Sequence, residues 1–386
     1  MTTTALPART ALLALTTAAF VTVLTEALPA GVLPGMSASL GVGESAAGQA
    51  VTIYALGTAL TAVPLSAATA AWPRKRLLLA GVAGFAVANT VTALSPAYPL
   101  TMVARFVAGV AAGVVWALLA GYARRLAPPE SQGRAIAIVM AGIPLALSLG
   151  IPAGTFLGGL FGWRSAFGVM SAIAVVLLAW IAARVPDQPG QAGGRVPVRR
   201  TLAVPGVVPV LAVTLVFVLA HTVLYTYVAA FLGHAGMGDA VDVVLLVFGV
   251  ASMAGIWVVG ARIDRALRTL MVLSTILVAV AATLLAVFAG SPALVYAAVA
   301  LWGLGWGGVP TLLQTAAGNA GGDAADNAQA MLVTLWNAAM AAGGVLGGIL
   351  LDAAGPASFP WTLLALLVPV LAVVLGARRS GFPGRS

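Results

Sequence analysis

Two ionisable side chains stand inside long apolar stretches of this sequence, Glu26 in the first stretch and Arg105 in the fourth. With a helical rise of about 1.5 Å per residue, Glu26 would lie about 24 Å along its helix, and Arg105 about 9 Å in from the opposite membrane face. Both would then occupy the same half of a bilayer. Charged groups in hydrocarbon pair with one another or mark a path for protons or substrate. The two residues are therefore predicted to form either a structural ion pair or a site that takes up and releases a proton.

Histidine, aromatic and amide side chains in other apolar stretches could line a ligand cavity. His221 and Tyr225 are one helical turn apart and share a face. A single His in a membrane helix serves about equally as a hydrogen-bonded packing group or as a cavity group. The other candidates are indole and amide side chains, for which packing is the competing interpretation: Gln49, Trp116, Trp302, Trp306, Trp336 and Asn337. Aromatic and amide walls suit small amphipathic ligands.

Small residues recur at every fourth position in two stretches, over residues 142–158 and 109–121. This spacing places each set on one helix face, where the backbone of a neighbouring helix can approach closely. Pro144 and Pro152 remove backbone donors from the first of these helices and predict a bend there.

The composition excludes several other kinds of chemistry. The chain has no Cys and two His that are far apart, which argues against disulfides and protein metal sites. We find no nucleophile–base pair, so we predict neither an enzyme nor a cofactor. A net charge of +9 would be typical of a soluble nucleic-acid-binding protein. Here the bases lie in short loops and form no basic face, so no nucleic-acid partner is expected.

The elements that carry these residues are membrane helices. The chain is 61% hydrophobic and 8% charged, whereas soluble domains carry about 25% charged residues. A membrane helix needs about 20 apolar residues, and the sequence contains twelve such spans. They are predicted at residues 10–33, 46–70, 76–95, 99–123, 133–159, 164–184, 205–232, 240–262, 267–289, 292–316, 326–352 and 357–377.

The distribution of Lys and Arg predicts the topology. If the N-terminus is cytoplasmic, all but two of the 19 basic residues fall at the cytoplasmic face, the exceptions being Arg105 and Arg164. The cytoplasmic set is Arg9, Arg74, Lys75, Arg76, Arg124, Arg125, Arg134, Arg184, Arg195, Arg199, Arg200, Arg262, Arg265, Arg268, Arg378, Arg379 and Arg385. Such a bias predicts a multi-pass protein of the plasma (inner) membrane with both termini in the cytoplasm.

A polar connection over residues 185–204, rich in Pro, Gly, Gln and Arg, divides the chain into two halves. We interpret it as a flexible cytoplasmic linker between six-helix lobes at residues 1–184 and 205–386. The Gly pairs that end the fifth and eleventh spans are offset by about 190 residues, which suggests related halves. Two repeats of six helices have the same orientation, as in two-lobed secondary transporters.

The chain resembles twelve-helix transporters of the major facilitator superfamily over nearly its whole length. The segment GARIDRALR is similar to the signature between helices eight and nine, a motif of the conformational change, through Gly260, Asp264, Arg265 and Arg268. The segment that begins at Arg105, RFVAGVAAGVVWA, resembles the fourth-helix motif, in which an Arg takes part in proton coupling.

Further segments resemble the drug/proton antiporter branch. The run GIPLALSLGIPAGTFLGG looks like its fifth-helix signature, with Gly150, Pro152 and Gly154 at the characteristic positions, although Ile151 separates the usual Gly-Pro pair. The segments that begin at Leu24, His221 and Leu335 resemble arabinose-efflux-like, purine-efflux-like and chloramphenicol-resistance-like members. After the second helix the family pattern has an acid where this chain has Ala70, which argues against the family's charged contact there.

The resemblance implies a proton-coupled exporter of a small organic compound, such as a drug, a sugar-like metabolite or a nucleoside. It would work by alternating access as a monomer in the lipid bilayer, with the proton gradient as its energy source and no cofactor. Glu26 would carry the proton and Arg105 would influence its release, while the aromatic and amide side chains would bind substrate. An uptake symporter on the same fold, or a non-transporting sensor or channel, are the alternatives.

Overall fold

The computed structural model describes residues 5–190 and 197–383. Across these ranges the chain is helical and contains no β-strand. Ten helical segments there are long and apolar enough to cross a membrane, and two of them, with 46 and 63 residues, are long enough to cross it twice, because about 20 residues span the hydrocarbon core. The predicted all-α membrane fold with twelve transmembrane helices is therefore confirmed for the described part of the chain.

We number the crossings α1 to α12 along the chain. The first six are α1 (Ala5–Gly31), α2 (Glu44–Ala68), α3 (Arg74–Leu94), α4 (Tyr98–Arg125), α5 (Pro129–Phe161) and α6 (Trp163–Arg184). The last six are α7 (Val207–Thr226), α8 (residues 241–265), α9 (residues 267–288), α10 (Pro292–Gly307, continued by Val309–Gly321), α11 (Ala325–Ala354) and α12 (Ser358–Gly376). The ends differ from the predicted spans by less than about two helical turns.

The connection between α8 and α9 differs from the prediction of a loop. The helix runs from Val241 to Phe288 without interruption, and Ala266 is the residue within it that has non-helical torsion angles, φ −142° and ψ 31°. A kink at one residue therefore joins the two crossings.

Helix α5 is irregular where its two prolines fall. Pro144 and Pro152 lack the N–H that would donate to the preceding turn. Residues Ala146–Gly150 form a π-helical turn, and the N–H of Ile151 donates to the carbonyl of Ala146. The structure thus has a widened turn where the prolines predict a bend.

The chain forms two compact units. The N-terminal unit comprises residues 1–198 and 329–334, and the C-terminal unit comprises residues 199–328 and 335–386. The main boundary falls inside the predicted linker, of which residues 191–196 lie outside the described residues. The exact lobe limits, 1–184 and 205–386, stay predictions.

Both units contain the same close approach between their second and fourth helices. A Cβ added to Gly109 of α4 would overlap the carbonyl of Tyr54 in α2, and a Cβ added to Gly307 of α10 would overlap the carbonyl of Ser252 in α8. Gly307 follows Gly109 by 198 positions along the chain, and Ser252 follows Tyr54 by the same number. Close backbone contact through small residues is typical of packed membrane helices, and its repetition agrees with two pseudo-symmetric halves.

Candidate functional site

Arg105 of α4 lies at the centre of a polar cluster in the N-terminal unit. Its side chain is fully buried. Nη2 donates to the carbonyl of Thr25 at 2.6 Å and to the carbonyl of Glu26 at 3.5 Å, both in α1, and Nε donates to the carbonyl of Ala50 in α2 at 3.3 Å. Charge-assisted hydrogen bonds of this kind are stronger than neutral ones, so the guanidinium links three helices.

Two aromatic rings lie close to the same guanidinium. Cζ of Arg105 is 5.0 Å from the ring centroid of Tyr54 and 5.9 Å from that of Phe167. A cation within about 6 Å of an aromatic face is attracted to it, most strongly where water is excluded. The Tyr54 hydroxyl donates to the carbonyl of Thr22 at 3.0 Å, which orients its ring.

The carboxylate of Glu26 does not pair with Arg105. Within the described residues the Glu26 side chain has no hydrogen bond or ion pair, and it is half-buried. Backbone carbonyls and rings surround the guanidinium instead. The structure therefore places the two groups next to each other but does not contain the structural ion pair, and proton exchange at Glu26 stays a prediction.

A buried amide in α3 completes the polar cluster. Asn89 is fully buried, and its Nδ2 donates to the hydroxyl of Thr25 at 3.1 Å. The Asn89 Oδ1 and the Arg105 Nη1 are buried without a hydrogen-bond partner in the described structure. Asn89 was not predicted from the sequence, where an amide inside a 21-residue apolar helix was the available signal.

His221 of α7 lies against two indole rings of α10. Nε1 of Trp302 donates to Nδ1 of His221 at 3.2 Å. The imidazole stacks on Trp306, with ring centroids 3.6 Å apart and 7° between the planes. His221 and Trp302 are both buried, so these contacts form inside the C-terminal unit.

Further rings extend this group. Tyr225 stacks on His221 at 5.1 Å between centroids, Phe248 contacts Trp302 at 4.8 Å, and Trp336 contacts Trp306 at 5.8 Å. We call the following six side chains the aromatic cluster: His221, Tyr225, Phe248, Trp302, Trp306 and Trp336. Helices α7, α8, α10 and α11 each contribute to it. Phe248 was not predicted, because its place follows from the packing of α8 on α10.

The other predicted ligand residues are placed differently. Asn337 is buried and follows Trp336 in α11. Gln49 is exposed near the start of α2, and Trp116 is half-buried in α4 without a ring contact to another described aromatic side chain. Gln49 and Trp116 belong to the N-terminal unit and are not part of the aromatic cluster.

The glycine stripe of α5 packs against α1. A Cβ added to Gly150 would lie 3.1 Å from Leu24, and one added to Gly154 would overlap Leu28. Pro152 lies between them in the first turn of the regular helix that follows the π-helical turn. The stripe therefore allows close packing on the helix that carries the predicted proton site.

The predicted signature between α8 and α9 lies at their kinked junction. Gly260 is buried, whereas Asp264 and Arg265 are exposed. Nη2 of Arg268 donates to the carbonyl of Leu375 in the last turn of α12 at 3.0 Å. A cation is favourable at the C-terminal end of a helix, so Arg268 ties the junction to α12.

The first residues of the predicted linker are held against the N-terminal unit. The carbonyl of Gln188 accepts from the N–H of Arg74 at 2.8 Å, and the carbonyl of Pro186 accepts from the hydroxyl of Tyr122 at 2.7 Å. Two carbonyls of residues 185–190 thus find donors on α3 and α4, while the flexibility of the linker stays a prediction.

Asp187 places a carboxylate at the start of α3. Its Oδ1 accepts from the backbone N–H of Lys75 at 3.1 Å and from that of Gln188 at 2.8 Å. A carboxylate is favourable at a helix N-terminus because it satisfies an unpaired N–H and the helix dipole. An acid from the linker thus lies beside the connection in which Ala70 replaces the expected acid.

A groove elsewhere in the N-terminal unit has a volume of about 300 Å³. Its walls, from α1 and α6, are apolar apart from Thr17 and include Val169, Ile173 and Trp180. None of the predicted site residues lines it. In the described ranges no three His, Asp or Glu side chains are grouped so that they could hold a metal ion.

The sequence matches known membrane transporters along most of its length. Residues 15–326 match the Major Facilitator Superfamily. A chloramphenicol efflux pump of Mycobacterium tuberculosis is 33% identical over 361 residues, covering 89% of this chain and 86% of that protein. The purine ribonucleoside efflux pump NepI of Escherichia coli K12 is 28% identical over 360 residues, covering 92% and 90%.

A differently named relative and two solved structures complete the comparison. The transcription regulatory protein OpdE of Pseudomonas aeruginosa is 32% identical over 376 residues, covering 95% of this chain and 93% of that protein. The proton:xylose symporter XylE matches with a TM-score of 0.81 at 14% identity, over 97% of this chain and 96% of XylE. The human organic anion transporter MFSD10 matches with a TM-score of 0.77 at 15% identity, over 95% and 99%. At such identity the two structures share the fold alone.

Proposed function

Because the chain belongs to the major facilitator superfamily, we propose that it exports a small organic compound in exchange for protons. Family membership makes it a multi-pass membrane transporter of a small molecule rather than an enzyme. The direction of transport, the coupling to protons and the class of substrate are the proposed parts.

The observation that carries the proposal is the half-buried, unpaired carboxylate of Glu26 beside Arg105. Antiport requires a group that holds a proton in one conformation and releases it in another, with substrate binding favouring the released form. A carboxylate without a fixed partner can change protonation without breaking a salt bridge. Arg105, held by backbone carbonyls, would influence that release as the conformation changes.

The aromatic cluster and the adjacent Asn337 are the proposed substrate site. Aromatic walls with a few polar groups are typical of pockets for small ligands. Two relatives are named as efflux pumps for chloramphenicol and for purine ribonucleosides, and each of these compounds contains a flat aromatic ring. A drug or a nucleoside would stack on the cluster, and a sugar-like metabolite would place its apolar face on the same rings.

Flux into inside-out vesicles with an imposed pH gradient tests the proposal. With chloramphenicol and inosine as probes, we expect accumulation when the vesicle interior is acidic. Glu26→Gln keeps the size of the side chain but removes proton exchange, so uphill accumulation should be lost while exchange of substrate down its own gradient survives. Glu130→Gln, at an exposed acid in the first turn of α5, is the matched control.

The alternatives give different results in the same vesicles. An uptake symporter would use the acidic interior to expel a loaded probe, and a channel would equilibrate it without regard to pH. Wild-type accumulation by Glu26→Gln would place the proton site elsewhere, with Asp264 and Asp352 next in line.

We also propose that the protein is a monomer of the plasma (inner) membrane with both termini in the cytoplasm. The distribution of basic residues supports this topology. Gln191, in the middle of the predicted linker, lies outside the described residues, so the test uses Glu130 and Gly290, which are exposed. In this Cys-free chain, an impermeant maleimide added to intact cells should label Gly290→Cys and spare Glu130→Cys. The reverse pattern would overturn the topology.

A second candidate function is regulation. The relative OpdE is named a transcription regulatory protein although it matches this chain along nearly its whole length. A membrane regulator on this fold would bind a small molecule without moving it. Binding of a probe without any flux in the vesicles would favour this function over transport.

A further inference from the structure

We propose that Trp302 holds His221 in one neutral tautomer, with the proton on Nε2, and that this N–H recognises a flat aromatic ligand through a hydrogen-bond acceptor. The inference rests on the proposed function, whose substrate site it makes chemically specific. His221 would contact the ligand, and Trp302 would be a positioning residue that acts through His221.

The hydrogen bond between the two rings determines the tautomer. An indole N–H can donate but cannot accept, and Nε1 of Trp302 lies 3.2 Å from Nδ1 of His221. Nδ1 must therefore present its lone pair. A neutral imidazole with an unprotonated Nδ1 carries its proton on Nε2.

Stacking fixes the orientation of the imidazole. Trp306 lies 3.6 Å away between centroids with 7° between the planes, and Tyr225 lies 5.1 Å away with 24°. Rotation of the imidazole out of its plane would break both stacks, and a half-turn within it would break the hydrogen bond to Trp302. The direction of the Nε2–H is therefore set before a ligand arrives, which lowers the ordering cost of binding.

The Nε2 donor is available. Among the described residues Nε2 makes no hydrogen bond. It also retains some solvent exposure, unlike the fully buried side-chain atoms that lack a partner. Tyr225, stacked on the same ring, is 37% exposed, and Trp336 is half-buried. The aromatic cluster thus keeps an N–H donor that no described protein group uses.

A flat ring with an acceptor in its plane fits this arrangement. The ring would stack on the aromatic faces while its carbonyl oxygen or ring nitrogen accepts from Nε2. A ligand that has donors alone finds no acceptor at His221, because Trp302 occupies Nδ1. Inosine, with a carbonyl and ring nitrogens, belongs to the predicted class, whereas indole, which is flat but has a donor alone, does not.

The tautomer is tested by NMR of the purified full-length protein labelled with ¹⁵N-histidine. The chain has two His, so His234→Gln, at an exposed position, assigns the signals of His221. We expect an unprotonated Nδ1 and a protonated Nε2. Trp302→Phe keeps an aromatic ring but removes the N–H, so a mixture of tautomers should appear. Trp180→Phe, in the other unit, should leave the spectrum unchanged.

The ligand class is tested by binding of inosine and indole to the same preparations. Loss of one hydrogen bond should weaken inosine binding about tenfold in His221→Phe, with a smaller loss in Trp302→Phe, while indole binding stays within about twofold. His221→Gln, whose amide can still donate, should recover part of the inosine affinity.

A protonated Nδ1 in the wild-type protein would overturn the tautomer assignment. Equal inosine affinity in wild type and His221→Phe, or no inosine binding to the wild type, would overturn the ligand class. Neither measurement uses a pH gradient, so failure here is distinguishable from failure of proton-coupled export in the vesicles.

Discussion

The two units share one helix pair but differ where α4 has Arg105 and α10 has Gly303. Gly303 in α10 follows Arg105 in α4 by 198 positions, and Phe248 in α8 follows Ala50 in α2 by the same number. In the C-terminal unit a Cβ on Gly303 would overlap the carbonyl of Phe248. In the N-terminal unit an arginine stands at that position and donates through Nε to the carbonyl of Ala50.

This difference shows how a repeated scaffold is fitted for two kinds of chemistry. Where glycine is present, α8 and α10 approach closely, and Phe248 and Trp302 meet in the aromatic cluster. Where arginine is present, its side chain donates to the carbonyl of Ala50 instead, and the guanidinium is buried there. The N-terminal unit thus buries a fixed cation near an acid, whereas the C-terminal unit collects aromatic faces.

Among substitutions that test this difference between the units, Arg105→Ala is expected to lower stability and flux the most. The substitution removes a buried cation that donates to three carbonyls and leaves a cavity, for which losses of about 2–4 kcal/mol are typical. We expect the protein to unfold at a clearly lower temperature in detergent and to lose proton-driven flux.

Arg105→Lys separates the charge from the shape of the side chain. Lysine keeps the positive charge but lacks the planar fork, so stability should recover in part. If Arg105→Ala unfolds at the wild-type temperature, the polar cluster does not hold the three helices together.

A smaller and equal effect is expected when the shared contact is disturbed in either unit. A Cβ in Gly109→Ala would overlap the carbonyl of Tyr54, and one in Gly307→Ala would overlap that of Ser252. Overpacking against backbone typically costs about 1–3 kcal/mol. Both variants should therefore lower the unfolding temperature by similar amounts.

Glycines in open space provide the controls. A Cβ on Gly168 in α6 or on Gly249 in α8 would meet nothing within 4 Å. Ala at these helical positions should be neutral or slightly stabilising, by up to about 1 kcal/mol. If Gly109→Ala or Gly307→Ala alone lowers the unfolding temperature while both controls do not, the two helix pairs are not equivalent.

The smallest effect is expected from Asp187→Ala. Loss of a capping carboxylate typically costs about 1 kcal/mol, so the unfolding temperature should fall slightly. Asp187→Asn keeps an acceptor for the N–H of Lys75 and should recover most of that loss. No change in Asp187→Ala would show that the linker contact adds nothing to the N-terminal unit.

The helices could be predicted from the sequence because membrane insertion depends on local composition. About 20 apolar residues and the exclusion of charge define each crossing. The kink at Ala266 could not be predicted, because a basic, polar connection resembles a loop in sequence while its backbone hydrogen bonds remain helical.

The site was predictable as residue types but not as contacts. Similar depth correctly brought Arg105 and Glu26 together, yet depth does not say that the guanidinium bonds to the Glu26 carbonyl rather than to its carboxylate. Asn89 and Phe248 join their clusters through neighbours on other helices, and such pairings between distant segments leave no periodic signal in the chain.

The displacement of 198 positions that the contacts of this helix pair share also makes the molecule a natural subject for recombination. The approach of Gly57 to the carbonyl of Phe106 recurs as that of Gly255 to the carbonyl of Leu304, so the length of chain between these points is the same in both units. Residues 50–110 and 248–308 therefore contain these contacts at the same spacing. A chimera that carries one of these segments twice would keep the spacing between the contacts of the helix pair, while Arg105 would be gained or lost. The helix packing and the side chains that it positions could then be exchanged separately.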